Sequence, residues 1–172
     1  MKLVRCHIEN FGGLSDIDFS FEDGLTVLYQ PNGFGKSTLA AFIKAMLYGF
    51  PRTAKRSLSE NDRKKYLPWQ GGKYGGFLIF SYQGINYRVS RYFGTTAARD
   101  TFSLYDITNR RERKKFSSAL GEELFQLDSD SYARSTYMPQ LQGKQRGYTN
   151  LVHYTDDGWS GGNFERPGWK RL

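Results

Sequence analysis

The run Asn32-Gly33-Phe34-Gly35-Lys36-Ser37-Thr38 sits between a short, mostly apolar stretch, Leu25-Thr26-Val27-Leu28-Tyr29, and a segment with helical spacing. Nothing else in the chain constrains its fold as tightly, because strand, glycine-rich turn and helix in that order are the context a phosphate loop needs. Glycines let the backbone curl so that successive N–H groups face an anion at the positive end of the helix. The lysine then meets the β- and γ-phosphates as a point charge, and the next hydroxyl takes a Mg2+ coordination position. In that pattern Asn32, Gly33, Gly35 and Lys36 hold phosphates, Ser37 the metal, and Thr38 the α-phosphate side. One position departs from G-x-x-x-x-G-K-[ST]. Gln30 stands where the first glycine belongs, which is expected to strain the exit from the strand and weaken binding.

The elements around this loop follow from periodicity. Val4, Cys6 and Ile8 alternate within Leu3–Ile8, and Ile17, Phe19 and Phe21 alternate with Asp16, Asp18 and Ser20, predicting two half-buried strands paired through the turn at Asn10–Ser15. Leu25–Tyr29 reads as a strand covered on both faces. Leu39, Phe42, Ile43, Met46 and Leu47 fall at helical spacing, with Gly49 placed to end the helix. Pro51–Gly76 reads as a long basic, glycine-rich loop. Phe77–Tyr82 and Ile85–Tyr92 form a hairpin around Gln83-Gly84, Phe102–Ile107 adds a third strand, Ala119–Leu127 is a short helix, and Tyr132–Gln140 leads into a strand or loop.

Length and composition narrow the class. A chain of 172 residues is about one domain, and its 28 aromatics (13 Phe, 12 Tyr, 3 Trp) supply bulk for one core. No apolar run approaches the ~18–20 residues of a membrane span, no signal peptide is expected, and a single cysteine excludes an internal disulfide, so a cytoplasmic protein is expected. Cys6 reads as a small core residue rather than a nucleophile. The charge is uneven. Residues 1–50 carry 4 basic and 5 acidic groups, residues 51–118 carry 15 and 5, and residues 119–172 carry 6 and 7, so the whole formal +8 belongs to the middle third. Such a zone suits a polyanion, either nucleotide phosphates or a nucleic-acid backbone, and equally a solvated surface.

A resemblance adds to these readings. Met1-Lys2-Leu3-Val4, Ile8-Glu9-Asn10-Phe11-Gly12 and Pro31–Leu39 resemble the N-terminal lobe of SMC-type ATPases, the group of SbcC, RecF and RecN. Lys64-Lys65-Tyr66-Leu67-Pro68-Trp69, Gly75-Gly76, Tyr87-Arg88, Arg91-Tyr92-Phe93-Gly94 and Gly121-Glu122-Glu123-Leu124-Phe125 are similar to the YhaN-like AAA domain ATPases. The resemblance covers residues 1–142. It implies an α/β fold, the N-terminal half of an SMC/ABC-type P-loop NTPase head with an antiparallel β-meander. It also implies ATP and Mg2+ as ligands, a role in DNA repair or chromosome maintenance, double-stranded DNA as a partner of the basic middle third, and heads that face each other as dimers. Gln140, in Ser135-Thr136-Tyr137-Met138-Pro139-Gln140, is similar to the glutamine that contacts Mg2+ and attacking water in such ATPases, with Gln142 as the alternative. The group's signature motif and hydrolysing carboxylate pair have no counterpart here, so no catalytic residue is assigned and little turnover is expected.

Residues 143–172 resemble something else. Asp156-Asp157-Gly158-Trp159-Ser160-Gly161-Gly162-Asn163-Phe164-Glu165-Arg166-Pro167-Gly168 is similar to an internal loop of large serine recombinases, without that family's nucleophile or phosphate-binding arginines. The expectation is a foreign or disordered tail. Two other readings of the chain stay open: a non-catalytic nucleic-acid-binding fragment, and a defective relic of a gene disrupted by a mobile element. For Arg52, Lys55, Arg56, Arg63, Lys64 and Lys65 the choice is between tracking a DNA backbone and closing over a nucleotide.

Overall fold

The alternation at the N-terminus becomes a hairpin. In the computed structural model, which describes residues 1–51, 61–112 and 116–136, strand β1 (Lys2–Phe11) turns at Gly12-Gly13 into β2 (Leu14–Ser20), with Phe11 opposite Leu14 and Cys6 opposite Phe19. The other face of the ladder is taken by β3 (Gly75–Tyr82), which pairs with β1 and hairpins through Gln83-Gly84 into β4 (Ile85–Tyr92). Strands β5 (Thr101–Asp106) and β6 (Arg111–Glu112) complete a six-stranded sheet in the order β2-β1-β3-β4-β5-β6. Every pairing is antiparallel. β1 and β3 approach so closely that a Cβ on Gly76 would lie 2.1 Å from the His7 carbonyl oxygen, so a side chain there would part the two strands.

One face of the sheet carries the core. Cys6 and Ile8 from β1, Leu78 and Phe80 from β3, Tyr87 and Val89 from β4, and Leu104 from β5 lie buried under Leu39, Phe42, Ala45, Met46 and Leu47 of helix α1 (Lys36–Tyr48). Ile43, expected with the buried set, is only half-covered. Cys6 is the core residue its neighbours suggest: burial pushes its thiol up to about 12, which removes the thiolate a nucleophile needs. Gly49 ends α1, its N–H returning to the Ala45 carbonyl.

Buried Arg91 of β4 closes the same helix end. Its guanidinium donates to the Met46 carbonyl (2.8 Å), the Leu47 carbonyl (3.3 Å) and the Ser118 carbonyl, and lies over the Phe102 ring. Carbonyls of a last helical turn lack intrahelical partners, and a cation there also suits the helix dipole. Burial draws Arg91 down to about 10, leaving it charged at neutral pH. The Ser118 contact fixes the approach to α3 (Leu120–Phe125), where Leu120 and Gly121 are buried and Gly121 lies directly against the Tyr48 ring.

Three expectations are corrected. Leu25–Tyr29 is not a strand and is not buried: Leu25 is 85% exposed, Val27 74% and Tyr29 92%. A strand covered on both faces needs neighbours for its backbone, and no described strand pairs with it; the Thr26 hydroxyl accepts from the Glu22 N–H at 3.0 Å, while Phe21 N–H to the Val4 carbonyl and a Lys2–Asp23 ion pair fasten the chain just before it. Tyr132 begins no strand. It belongs to helix α4 (Ser129–Ser135), whose Asp128 cap accepts from the Ser131 N–H at 2.6 Å. The loop from Pro51 to Gly76 holds a short helix, α2 (Asp62–Lys65), capped by Asn61.

Phe11, at the end of β1, gathers the aromatics. Its ring centroid lies 5.0 Å from Tyr66, 5.4 Å from Phe42 and 5.5 Å from Tyr74, with Phe50 and Phe93 further out. Phe11→Ala should therefore cost about 3–5 kcal/mol in denaturant unfolding. A loss below about 1 kcal/mol would mean that these rings do not act as one packed unit.

Candidate functional site

The loop before α1 is built as its composition suggests. Gly33 (φ 86°) and Gly35 (φ 107°) occupy left-handed backbone that only glycine takes without strain. A Cβ on Gly35 would also meet Leu14 Cδ2 at 2.7 Å, so the loop lies hard against the start of β2. The first intrahelical bond runs from the Leu39 N–H to the Gly35 carbonyl at 2.8 Å, and among the described residues no side chain caps the N–H groups of the first turn. Those N–H groups and the positive helix end form an anion cradle without an acidic residue in it.

Lys36 spans the loop. Its Nζ donates to the Gln30 carbonyl at 2.6 Å and the Pro31 carbonyl at 3.0 Å, tying the start of the loop to its end with the ammonium still exposed. Phe34 packs edge-on against Phe19 of β2, 6.5 Å between centroids. Asn32, Gly33, Lys36 and Ser37 are exposed, while Gly35 and Thr38 are half-covered. The six residues Asn32, Gly33, Gly35, Lys36, Ser37 and Thr38 thus lie on one turn and the first turn of α1, on the side where Leu14 and Gly12 form the floor. Gln140, Gln142 and the tail from residue 143 lie outside the described residues.

The donor set fits a phosphate group: two left-handed glycines, free N–H groups at the positive end of a helix of 13 residues, and one ammonium. For a divalent cation the loop offers the exposed Ser37 hydroxyl, and among the described residues no group of three or more His, Cys, Asp or Glu could hold a metal. A cation here would take its remaining ligands from the nucleotide's own oxygens and water.

The basic middle third divides on inspection. Arg63 of α2 is not available to a polyanion. Its guanidinium makes a paired, two-pronged contact with Asp100 (2.6 and 2.7 Å), donates to the Gly94 carbonyl, and lies 5.2 Å over the Phe50 ring. This pair, partly buried, fastens α2 to the connection between β4 and β5, where a short helical turn spans Ala97–Arg99. Lys64 and Lys65 remain exposed, as do Arg110 and Arg111. Arg52, Lys55, Arg56 and residues 113–115 lie outside the described residues. Periodicity and charge counts missed Arg63 and Arg91 because their partners, Asp100 and the end of α1, stand 37 and 44 or 45 residues away.

Gln30 itself needs no glycine. The described non-glycine residues with positive φ are Asp16, Gln83, Arg110 and Gln126, and Gln30 is not among them. The strain expected of it is therefore absent, since a residue outside the left-handed region gains nothing from losing its Cβ. Gln30→Gly should leave Mg2+-ATP affinity within about twofold in calorimetry while lowering stability by roughly 0.5–1 kcal/mol through chain entropy. Clearly tighter binding would restore the strain argument.

Known proteins place the chain in a family. The AAA domain family matches residues 5–156. The chain is 31% identical over 146 residues to the Bacillus subtilis protein YhaN, covering 84% of this chain and 14% of YhaN. It is 45% identical over 147 residues to the DNA double-strand break repair Rad50 ATPase of Methanosarcina acetivorans, covering 81% of this chain and 13% of that protein. To the DNA replication and repair protein RecF of Prosthecochloris aestuarii it is 30% identical over 123 residues, 70% of this chain and 30% of that one. It thus spans less than a third of the length of each of these relatives. No described helix is long and apolar enough to cross a membrane. With 152 of its 172 positions inside the match, a glycine-lysine loop at the head of α1 and relatives that include a Rad50 ATPase, the chain belongs to the AAA domain family.

Proposed function

We propose that this chain is the ATP-binding half of an SMC- or SbcC-like ATPase associated with DNA repair or chromosome maintenance, with a P-loop NTPase fold. One observation carries the reading: an uncapped, acid-free helix start behind two left-handed glycines, with the Lys36 ammonium held at its mouth by two loop carbonyls. The N–H groups around Gly33, Gly35 and Lys36 bind the β-phosphate, and Lys36 turns its charge to the β/γ oxygens. Thr38 lies on the α-phosphate side. Ser37 offers its hydroxyl to Mg2+, which when bound neutralises the phosphate oxygens and fixes their geometry. Gln140 is the further metal-side residue proposed from the resemblance. Turnover by this chain alone is proposed to be small, because the signature motif and hydrolysing carboxylate pair of the ATPases it resembles have no counterpart in this sequence. Pairing of two heads across the nucleotide belongs to the same reading.

Double-stranded DNA is the proposed macromolecular partner, on the strength of the +10 middle third and of relatives whose names include DNA repair. A non-catalytic nucleic-acid-binding fragment is the second reading, favoured by the exposed Lys64 and Lys65.

Two experiments test these readings. Lys36→Ala should fold normally, because the side chain is exposed, and should lose at least tenfold in ATP affinity. Unchanged affinity in a folded variant would sink the phosphate-loop assignment. For DNA, removing Arg63 from the six-residue cluster leaves five cations, so the log–log salt slope should not exceed about −4.5 in magnitude, from about −0.9 per phosphate. Lys64→Ala with Lys65→Ala should shrink that slope by roughly 2 if both reach phosphates. An unchanged slope with weakened ATP binding would instead assign the lysines to the nucleotide.

A further inference from the structure

The exposed indole of Trp69 has no part in the core, yet the segment that bears it is fastened in place. It stands 84% exposed at the corner of a tight turn in which the Gly71 N–H returns to the Pro68 carbonyl, and Pro68 is buried. The segment bearing it is fastened on both sides. Tyr66 stacks on Phe11 and its carbonyl accepts from the Gly12 N–H at 2.7 Å. Gln70 donates to Asn10 Oδ1 at 2.9 Å, and Asn10 donates onward to the Lys73 carbonyl at 3.2 Å. A single surface aromatic is ordinary on a protein, but one whose backbone is tethered on both sides presents its apolar face at a set place.

Its position is the second observation. The benzo edge of the indole lies against Gly13, where a Cβ would meet it at 3.5–3.9 Å. The residues on either side of Gly13 touch the phosphate loop: a Cβ on Gly12 would lie 3.2 Å from Thr38 Cγ2, and Leu14 packs on Gly35. One three-residue turn, Gly12-Gly13-Leu14, therefore separates the loop from the indole. Because Gly13 carries no side chain, the indole can lie directly against the backbone of that turn. Leu67, also exposed, extends the apolar surface beside Trp69.

We propose that Trp69 is the base-binding platform of the nucleotide site, taking the purine ring of a nucleoside triphosphate whose phosphates lie on Gly33–Thr38. This rests on the nucleotide reading above and adds to it the residue that receives the base, so that a ligand with a ring is held more tightly than a bare polyphosphate. Tryptophan supplies a large, rigid apolar face at low entropic cost, and stacking on an aromatic is tolerant of which base it receives. The phosphate cradle then sets the anchor, and Trp69 discriminates in favour of ligands that carry a ring.

The test uses the full chain with two ligands, Mg2+-ATP and inorganic tripolyphosphate with Mg2+, by calorimetry. Trp69→Ala should lose about tenfold in ATP affinity, within the range for one base stacked on an aromatic, and keep its tripolyphosphate affinity. Trp69→Phe should retain most of the ATP affinity. The tryptophan emission difference between wild type and Trp69→Phe should fall on adding ATP and not on adding tripolyphosphate. Equal losses for both ligands, or none for ATP, would overturn the platform while leaving tripolyphosphate binding to the loop intact. If wild type binds neither ligand, the phosphate-loop reading falls and the platform with it.

Discussion

The ring of Phe11 is the joint on which the arrangement turns. It ends β1, is wholly buried, and touches rings from α1 (Phe42), from the segment after α2 (Tyr66, Tyr74) and from beyond β4 (Phe93). Edge-to-face and offset contacts of this kind are worth about 0.5–1.5 kcal/mol each beyond the area they bury. Their structural consequence is larger than their sum. They bring the head of α1 and the Trp69 segment to the same glycine turn, which immediately follows Phe11. The site's geometry is therefore set by a core contact rather than by the loop alone.

Helix α1 is held at both ends by cations of different character. At its start Lys36 is exposed, single-pointed and bonded to two carbonyls that a stronger anion can replace. At its end Arg91 is buried, forked and bonded to three carbonyls from two elements. Lysine suits the first place because its ammonium can be shared with an incoming phosphate, and arginine the second because its fork satisfies several fixed acceptors at once. The helix is firm where it meets the sheet and open at the end proposed to meet phosphate.

Much of this was legible in the residues. Alternation in Val4-Cys6-Ile8 and in β3–β4 gave strands in the correct pairing, since period two with one buried face also sets register. The spacing of Leu39, Phe42, Met46 and Leu47 gave α1, and Gly49 gave its end. Leu25–Tyr29 was misread because an apolar run states what a segment would bury, not whether a neighbour exists to bury it. The short helix α4 went unseen although Asp128 and Ser129 at its start carry an N-cap signal, because its few residues show no full turn of apolar spacing. Arg63 was pooled with its neighbours because a charge count is blind to a carboxylate 37 residues on.

The same blindness explains which parts of the site were and were not visible. A phosphate loop is local: its glycines, lysine and hydroxyls are consecutive, so the string is enough to place Gly33, Gly35, Lys36, Ser37 and Thr38 together. The proposed base-binding surface is not local. Trp69 stands against the Gly13 turn only because Tyr66 stacks on Phe11 and Gln70 bonds Asn10, contacts that span 55 and 60 residues. Such a residue looks like an isolated aromatic in a polar loop until the chain is folded. What distinguishes it from ordinary surface tryptophan is the pairing of high exposure with a tethered backbone, which presents a large apolar face at a set place on the surface. A stacked ring would cover that face, one turn away from the phosphate loop.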